Sequence, residues 1–109
     1  MAGWVKRVDP TELQPGREPQ GRWKRYVEGE RGMIFGLGEL APGESVVHAH
    51  AEEEVFYVLS GRGEAEWTED GVAHRAALAP GDAFFKTTGV HHVLRCVGDA
   101  PMRGLYCKA

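Results

Sequence analysis

The sequence has little of what marks a membrane protein or a disulfide-rich secreted protein. Nowhere do about 18 apolar residues run together, as a membrane-spanning helix requires. Residues 1–13 carry charges and Pro10 where a secretory signal has an apolar stretch. The two cysteines, Cys96 and Cys107, are too few for a disulfide framework. We therefore expect a cytoplasmic protein without a membrane segment, in which both cysteines are structural thiols.

A strong excess of one charge is also absent. The chain has 13 basic and 16 acidic residues, and its net charge of -3 gives no overall attraction to nucleic acid or anionic lipid. The basic residues Arg22, Lys24 and Arg25 alternate with Trp23 and Tyr26, as they would on a solvated strand face. The sequence shows no helix-turn-helix pattern, so we expect neither nucleic acid nor membrane as a partner.

Helical periodicity is missing, because no segment keeps the i, i+3, i+4, i+7 apolar spacing for three turns. Apolar residues instead recur with a period of two, in residues 22–28, 33–40, 45–50, 54–59, 63–68, 74–78, 83–86, 92–97 and 103–107. For a chain of 109 residues this pattern predicts one all-β domain, an antiparallel sandwich or jelly-roll barrel over residues 1–109. Residues 1–21 are less regular, and we expect them to form an arm that crosses the barrel or a neighbouring subunit.

Among the residues that are present, His48, His50 and Glu54 have the spacing of metal ligands. Residues i and i+2 of a strand point to the same face, so both imidazoles can reach one point. Glu54 can add a carboxylate from the next strand. Because chance can produce this spacing, a second element is needed. Residues 81–92 supply it, since a glycine-bounded run of strand-forming residues there ends at His92.

Strand alternation predicts which residues share the interior with these ligands. The inward sets are Val46 with His48 and His50, Glu54 with Phe56 and Val58, and His92 with Leu94 and Cys96. A carboxylate among apolar side chains is costly unless it is paired, so Glu54 needs a cation, which a metal would supply. Three imidazoles and one carboxylate suit one divalent transition metal, Mn, Fe, Ni, Cu or Zn. An octahedral ion would keep two positions open for a substrate or dioxygen.

Two segments resemble the motifs of the cupin superfamily. Residues 42–61 are similar to the first motif, with HxHxxxE and a glycine seven residues after the glutamate, although the leading glycine is one residue closer to the first histidine than usual. Residues 81–96 are similar to the second motif, but Thr87 replaces its usual proline and Cys96 its frequent asparagine. The resemblance spans residues 33–107 and implies a double-stranded β-barrel, often a homodimer. The metal ligands that it implies are His48, His50, Glu54 and His92.

The resemblance implies a metal-dependent enzyme that acts on a small polar molecule. Two open metal positions favour an oxidoreductase, for example a dioxygenase. Isomerisation or decarboxylation of a sugar or keto acid is the second interpretation, and a non-catalytic module that binds a small ligand or senses a metal is the third. We expect His74 and His91 to lie outside the site. The side chains that could line a substrate pocket are Phe35, Cys96, Arg103 and Tyr106.

Overall fold

The chain folds into short β-strands, as the period-two pattern predicts. A computed structural model describes residues 5–16, 21–48, 52–87 and 89–109, and of His48 it describes the backbone alone. Over these ranges the elements are a 3₁₀ turn at Pro10–Glu12 and the strands β1 Gln14–Pro15, β2 Arg22–Glu28, β3 Ile34–Leu40, β4 Ser45–His48, β5 Glu54–Ser60, β6 Gly63–Glu69, β7 Val72–Leu78, β8 Ala83–Lys86, β9 His92–Cys96 and β10 Met102–Lys108. None of the described segments is a helix long and apolar enough to cross a membrane.

The strands form two sheets. The six-stranded sheet has the order β1-β2-β3-β10-β5-β8, and the four-stranded sheet has the order β4-β9-β6-β7. Neighbouring strands are antiparallel in both sheets. Two antiparallel sheets that enclose one core form a jelly-roll barrel, so the predicted fold class is confirmed. The strands β5 and β9 belong to different sheets, and any contact between their side chains therefore crosses the interior.

The predicted strands are all present, and their described ends differ from prediction by at most two residues. The largest difference is at β7, which begins at Val72 where the pattern predicts residue 74. The last two predicted residues of β4, including His50, lie outside the described residues. Short strands separated by glycine turns are thus read from the sequence almost to the residue.

The described part of the predicted N-terminal arm adds an edge strand to the six-stranded sheet. The carboxylate of Asp9 caps the 3₁₀ turn by accepting a hydrogen bond of 2.9 Å from the backbone amide of Thr11. β1 then pairs with β2, with Gln14 opposite Trp23. Leu13 is 2% exposed, so this segment is held by packing as well as by strand pairing.

The core lies between the sheets and follows the predicted alternation. Val46 is 2% exposed whereas its neighbour Val47 is 51% exposed. The other predicted inward residues described with their side chains are also buried: Glu54, Phe56, Val58, His92, Leu94 and Cys96. Gly104 lies so close to the ring of Phe56 that a Cβ atom there would overlap it, which explains the glycine inside β10.

Two glycines fix the ends of the segment that contains β8. Gly81 and Gly89 have φ of 96° and 73°, in the left-handed region that side chains rarely adopt. Between them, the backbone of Asp82 accepts a hydrogen bond of 2.9 Å from the amide of Val58, which anchors the start of β8 against β5. The register then places Lys86, the last residue of β8, directly opposite Glu54.

Candidate metal centre

Glu54 and His92, two of the predicted metal ligands, are buried at the starts of strands from the two different sheets. Glu54 begins β5 and is 6% exposed, and His92 begins β9 and is 1% exposed. Glu54 is inward because it shares the parity of Phe56. His92 stands opposite Trp67 in the register of β9 and β6. The fold therefore brings an acidic and an imidazole side chain into the interior at one end of the barrel.

The ammonium group of Lys86 lies between these two side chains. Its Nζ donates a hydrogen bond to Oε1 of Glu54 and lies 2.7 Å from Nε2 of His92. Lys86 is 4% exposed, so it is as deeply buried as its partners. The burial of Glu54 predicts a cation beside its carboxylate, and from sequence we expect that cation to be a metal. In the structure, a lysine of the chain itself supplies one.

The hydrogen bonds determine the tautomer of His92. Its Nδ1 lies 3.0 Å from the carbonyl oxygen of Val90, which can only accept a hydrogen bond, so Nδ1 carries the hydrogen. In the neutral ring Nε2 then carries the lone pair, which faces Lys86. An imidazole fixed through Nδ1 to a backbone carbonyl, with the Nε2 lone pair directed into a site, is the state in which histidine binds a metal.

A second lysine stands on the other side of the carboxylate. Lys108 on β10 is also opposite Glu54 in the register, and its Nζ lies 3.9 Å from Oε2. Burial lowers the pKa of Lys86, and the carboxylate of Glu54 partly opposes that effect by favouring the charged ammonium. The positive charge of Lys108 lowers the pKa of Lys86 further. One buried carboxylate thus faces two neighbouring ammonium groups.

A cleft adjoins the buried lysine. Its volume is about 150 Å³, and its lining residues are Trp67, Glu69, Phe85, Lys86, Thr87 and Val90. Trp67 stacks on His74 at a centroid distance of 5.4 Å and an interplanar angle of 16°, which holds the indole on the cleft wall. This volume is below the several hundred Å³ of pockets for drug-sized ligands, so the cleft suits a small molecule.

The donor chemistry fits a divalent metal only if the ammonium of Lys86 moves. Carboxylate oxygen and imidazole nitrogen bind transition metals at about 2.0–2.2 Å. In the structure the Nε2 lone pair of His92 is directed at Lys86, and one lone pair serves one partner. Within the described ranges no group of three or more His, Cys, Asp and Glu side chains is placed to hold a metal. The backbone of His48 is opposite His92 in the register, and His50 lies outside the described residues.

The pocket residues predicted from sequence do not gather around Lys86. Tyr106 is buried in the core, where its ring meets that of Trp23 edge-on at 5.4 Å, and burial raises the pKa of its hydroxyl. The thiol of Cys96 donates to the carbonyl of Ala100 at 3.3 Å, a structural contact at the end of β9.

Phe35 and Arg103 lie on strand faces that turn away from the core. Phe35 is next to Ile34, which packs on the core, so alternation turns Phe35 to the other face of β3. Arg103 follows the fully buried Met102 and donates hydrogen bonds of 3.1 and 2.6 Å to Glu39. The structure therefore gives Arg103 a partner on the face of the six-stranded sheet opposite the core.

Lys86 and Trp67 are the site residues that sequence reasoning missed. Alternation does place Lys86 on the same face as Phe84, and this was the available signal. That signal is ambiguous because Phe85, on the opposite face, is equally apolar. The structure resolves the ambiguity, since Phe84 is 8% exposed and Phe85 is 59% exposed.

Comparison with known proteins identifies the family. Residues 36–107 match the family model described as Cupin domain, and the chain therefore belongs to the cupin family. Among curated proteins, none matches the sequence.

Solved structures share the fold. The protein TT1209 from Thermus thermophilus is 27% identical, with a TM-score of 0.76 over 96% of this chain and 97% of that one. FeII HppE is 17% identical, with a TM-score of 0.78 over 100% of this chain and 62% of that one. Oxalate decarboxylase from Lactobacillus farciminis, in a formate complex, is 19% identical, with a TM-score of 0.75 over 90% of this chain and 31% of that one. This chain thus spans about a third of that decarboxylase and less than two thirds of HppE.

Proposed function

We propose that this cupin is a metal-dependent enzyme that acts on a small polar molecule. The observation that carries the proposal is the convergence of the Glu54 carboxylate and the Nε2 lone pair of His92 beside one small cleft. The two side chains come from different sheets and are both buried, so the fold holds an acidic donor and a neutral nitrogen donor in the interior. Lys86, which contacts both of them, lines the cleft, and buried titratable groups beside a cleft are candidates for a functional site.

The ligands that we propose are His48, His50, Glu54 and His92, around one divalent ion of Mn, Fe, Ni, Cu or Zn. Such an ion would supply Lewis acidity or redox chemistry to a bound molecule. The chain's own contribution is the orientation of the donors: Val90 fixes the ring of His92, and the pairing of β5 with β8 and β10 fixes Glu54. The fold also keeps solvent away from the two donors, because Glu54 and His92 are almost fully buried.

For the reaction class, an oxidoreductase that uses dioxygen is our first candidate. Four protein donors leave two positions on an octahedral ion, enough for a substrate and dioxygen. HppE is an iron protein by its name, but its 17% identity extends only to the fold.

An isomerase or decarboxylase is the second candidate, and one observation favours it. Lys86 is one of the residues that line the cleft, and its amino group lies beside two proposed ligands. From sequence, the later strands offer no interior carboxylate to act as a general base apart from Glu54. A non-catalytic ligand-binding module is the remaining alternative, and turnover of any substrate would exclude it.

Metal analysis of the protein tests the proposal first. Protein made without a histidine tag and reconstituted with Mn, Fe or Zn is expected to hold about one ion per chain. Glu54→Gln and His92→Ala should each reduce this content strongly, because each removes a donor. His74→Ala is the matched control, since His74 is an exposed histidine stacked on Trp67. Less than about 0.1 ion per chain in the reconstituted wild type would contradict the proposal.

Oxygen uptake separates the two reaction classes. The metal-loaded protein is assayed with a panel of organic acids, diketones, phenols and thiols, and consumption of dioxygen with any of them supports the oxidoreductase. Conversion of a sugar or keto acid without oxygen uptake supports the isomerase or decarboxylase. Binding of a panel compound without conversion supports the binding module.

A further inference from the structure

We infer that the ammonium group of Lys86 and the metal ion exclude each other. In the metal-free protein Lys86 holds Glu54 and His92 together as an internal cation, and a metal can bind to these residues only when it displaces the ammonium into the adjoining cleft. The inference rests on the proposed metal site, and it concerns a residue that is not among the metal ligands that the family resemblance implies.

The ammonium and the ion would occupy the same place. Lys86 Nζ is hydrogen-bonded to Oε1 of Glu54 and is 2.7 Å from Nε2 of His92. A metal at bonding distance from His92 would use the same Nε2 lone pair, about 2.0–2.1 Å from the nitrogen. The ion and the ammonium would then lie closer together than their radii allow. One of them must leave.

The charge around Glu54 also opposes joint occupancy. The carboxylate of Glu54 already faces two cations, since Lys108 Nζ lies 3.9 Å from Oε2. A divalent ion added to two ammonium groups would give a large excess of positive charge in the interior, where charges are poorly screened. Displacement of Lys86 relieves this excess without removing the carboxylate from its second cation.

The adjoining cleft gives the displaced side chain of Lys86 somewhere to go. Lys86 is one of the residues that line the 150 Å³ cleft, and Thr87 and the acidic residue Glu69 line it as well. Lys86 is the last residue of β8, and the next residue, Thr87, lies outside the strand. The four-carbon stem of lysine is flexible, and rotation about its bonds can carry the ammonium from the interior to the cleft.

Zinc titration of three proteins tests the inference: the wild type, Lys86→Met and Lys108→Met. Methionine approximates the length of the lysine stem without the charge. Lys108→Met is the matched control because it removes an equal charge near the same carboxylate but leaves the position between Glu54 and His92 unchanged. If Lys86 competes with the ion, Lys86→Met should bind zinc at least tenfold more tightly than the wild type does. The increase in zinc affinity of Lys108→Met should be much smaller.

Chemical labelling of the wild type gives a second measurement that does not depend on a variant folding. Acetic anhydride modifies accessible lysines, and mass spectrometry gives the extent at each position. Lys86 should react slowly in the metal-free protein, because its side chain is 3% exposed, and several-fold faster when zinc is bound. Lys24, whose side chain is 40% exposed, is the internal control and should react equally in both states.

The outcomes distinguish the inference from the proposed function. Equal zinc affinity of the wild type and Lys86→Met overturns the inference and leaves the metal site intact, as does unchanged labelling of Lys86 on zinc binding. Equal increases in zinc affinity in Lys86→Met and Lys108→Met also overturn the inference, because the loss of one positive charge would then explain the increase. Zinc binding by Lys86→Met but not by the wild type supports the inference and contradicts the proposed metal-dependent function. No binding by any of the three proteins overturns both.

Discussion

The buried pair of Glu54 and Lys86 gives a sharp prediction for the stability of the metal-free protein. Glu54→Gln keeps the size of the side chain and removes its charge, so Lys86 and Lys108 lose the carboxylate that both face. Lys86→Met leaves Glu54 with Lys108, whose Nζ is 3.9 Å from Oε2. The two substitutions break the same ion pair, and they leave different charges behind.

The structure sets the order of the two effects. Glu54 is 6% exposed and Lys86 is 4% exposed, so solvent screens their interaction little. Breaking a buried ion pair by removing one partner costs about 3–5 kcal/mol, because the other charge stays buried. We expect this cost for Glu54→Gln and about 1–3 kcal/mol for Lys86→Met, where Lys108 still compensates the carboxylate. At about 4 °C per kcal/mol, the Tm of Glu54→Gln should fall by about 12 °C or more.

Urea unfolding in the presence of a chelator measures these free energies, and the double variant completes a thermodynamic cycle. The coupling between the two positions should exceed about 1 kcal/mol, as for residues in direct contact. A free energy of unfolding for Glu54→Gln within about 0.5 kcal/mol of the wild type would refute the reasoning, since changes of that size are typical of exposed positions. A Lys86→Met variant less stable than Glu54→Gln would refute the prediction that Glu54→Gln loses more unfolding free energy.

Three further predictions concern the metal, the N-terminal segment and self-association. Zinc at about 100 times its dissociation constant should raise the unfolding free energy of the wild type by about 2.7 kcal/mol, and a chelator should reverse this in a thermal melt. Leu13→Ala should cost about 2–4 kcal/mol in urea unfolding, because Leu13 is 2% exposed, and a loss below about 1 kcal/mol would contradict its role in holding the edge strand. We also propose a homodimer through the outer face of the six-stranded sheet, where Tyr57 and Phe85 are 43% and 59% exposed. Phe85→Glu should then give a monomer in light scattering, whereas Val72→Glu, at a residue 55% exposed on the other sheet, should not.

The strands were predictable because they alternate with a period of two and end at turn residues. β2 and β8 begin and end at the residues that the pattern predicts. Alternation also places Glu54 on the face of Phe56 and Val58, but Tyr57 and Leu59 make the opposite face of β5 apolar as well. The structure decides between the faces, since Phe56 and Val58 are 2% and 0% exposed whereas Tyr57 and Leu59 are 43% and 44% exposed.

Alternation fails where both faces of a strand are covered. In β3, Leu40 belongs to the core, and Leu37 on the opposite face is also only 1% exposed. The pattern therefore does not say which face of β3 lines the interior, and the expectation that Phe35 lines the pocket depended on that choice. The same ambiguity between Phe84 and Phe85 concealed Lys86.

Strand pairing is the other part that the sequence does not specify. Lys86 contacts Glu54 because β8 pairs with β5 at the edge of the six-stranded sheet. It contacts His92 because β9, in the four-stranded sheet, lies across the interior from β8. These contacts join residues that are 32 positions and 6 positions apart in the chain. No local pattern encodes such neighbours, so the sequence could predict a need for a cation beside Glu54 but not that a lysine supplies it.

A crystal structure of the zinc-loaded protein, with anomalous diffraction to locate the ion, tests most directly whether metal and lysine compete for Glu54 and His92. We predict an ion within about 2.0–2.2 Å of a carboxylate oxygen of Glu54 and of Nε2 of His92, with Nζ of Lys86 in the cleft beside Trp67. An ion bound elsewhere, or Lys86 still hydrogen-bonded to Glu54 and His92 in a zinc-loaded crystal, would contradict this prediction.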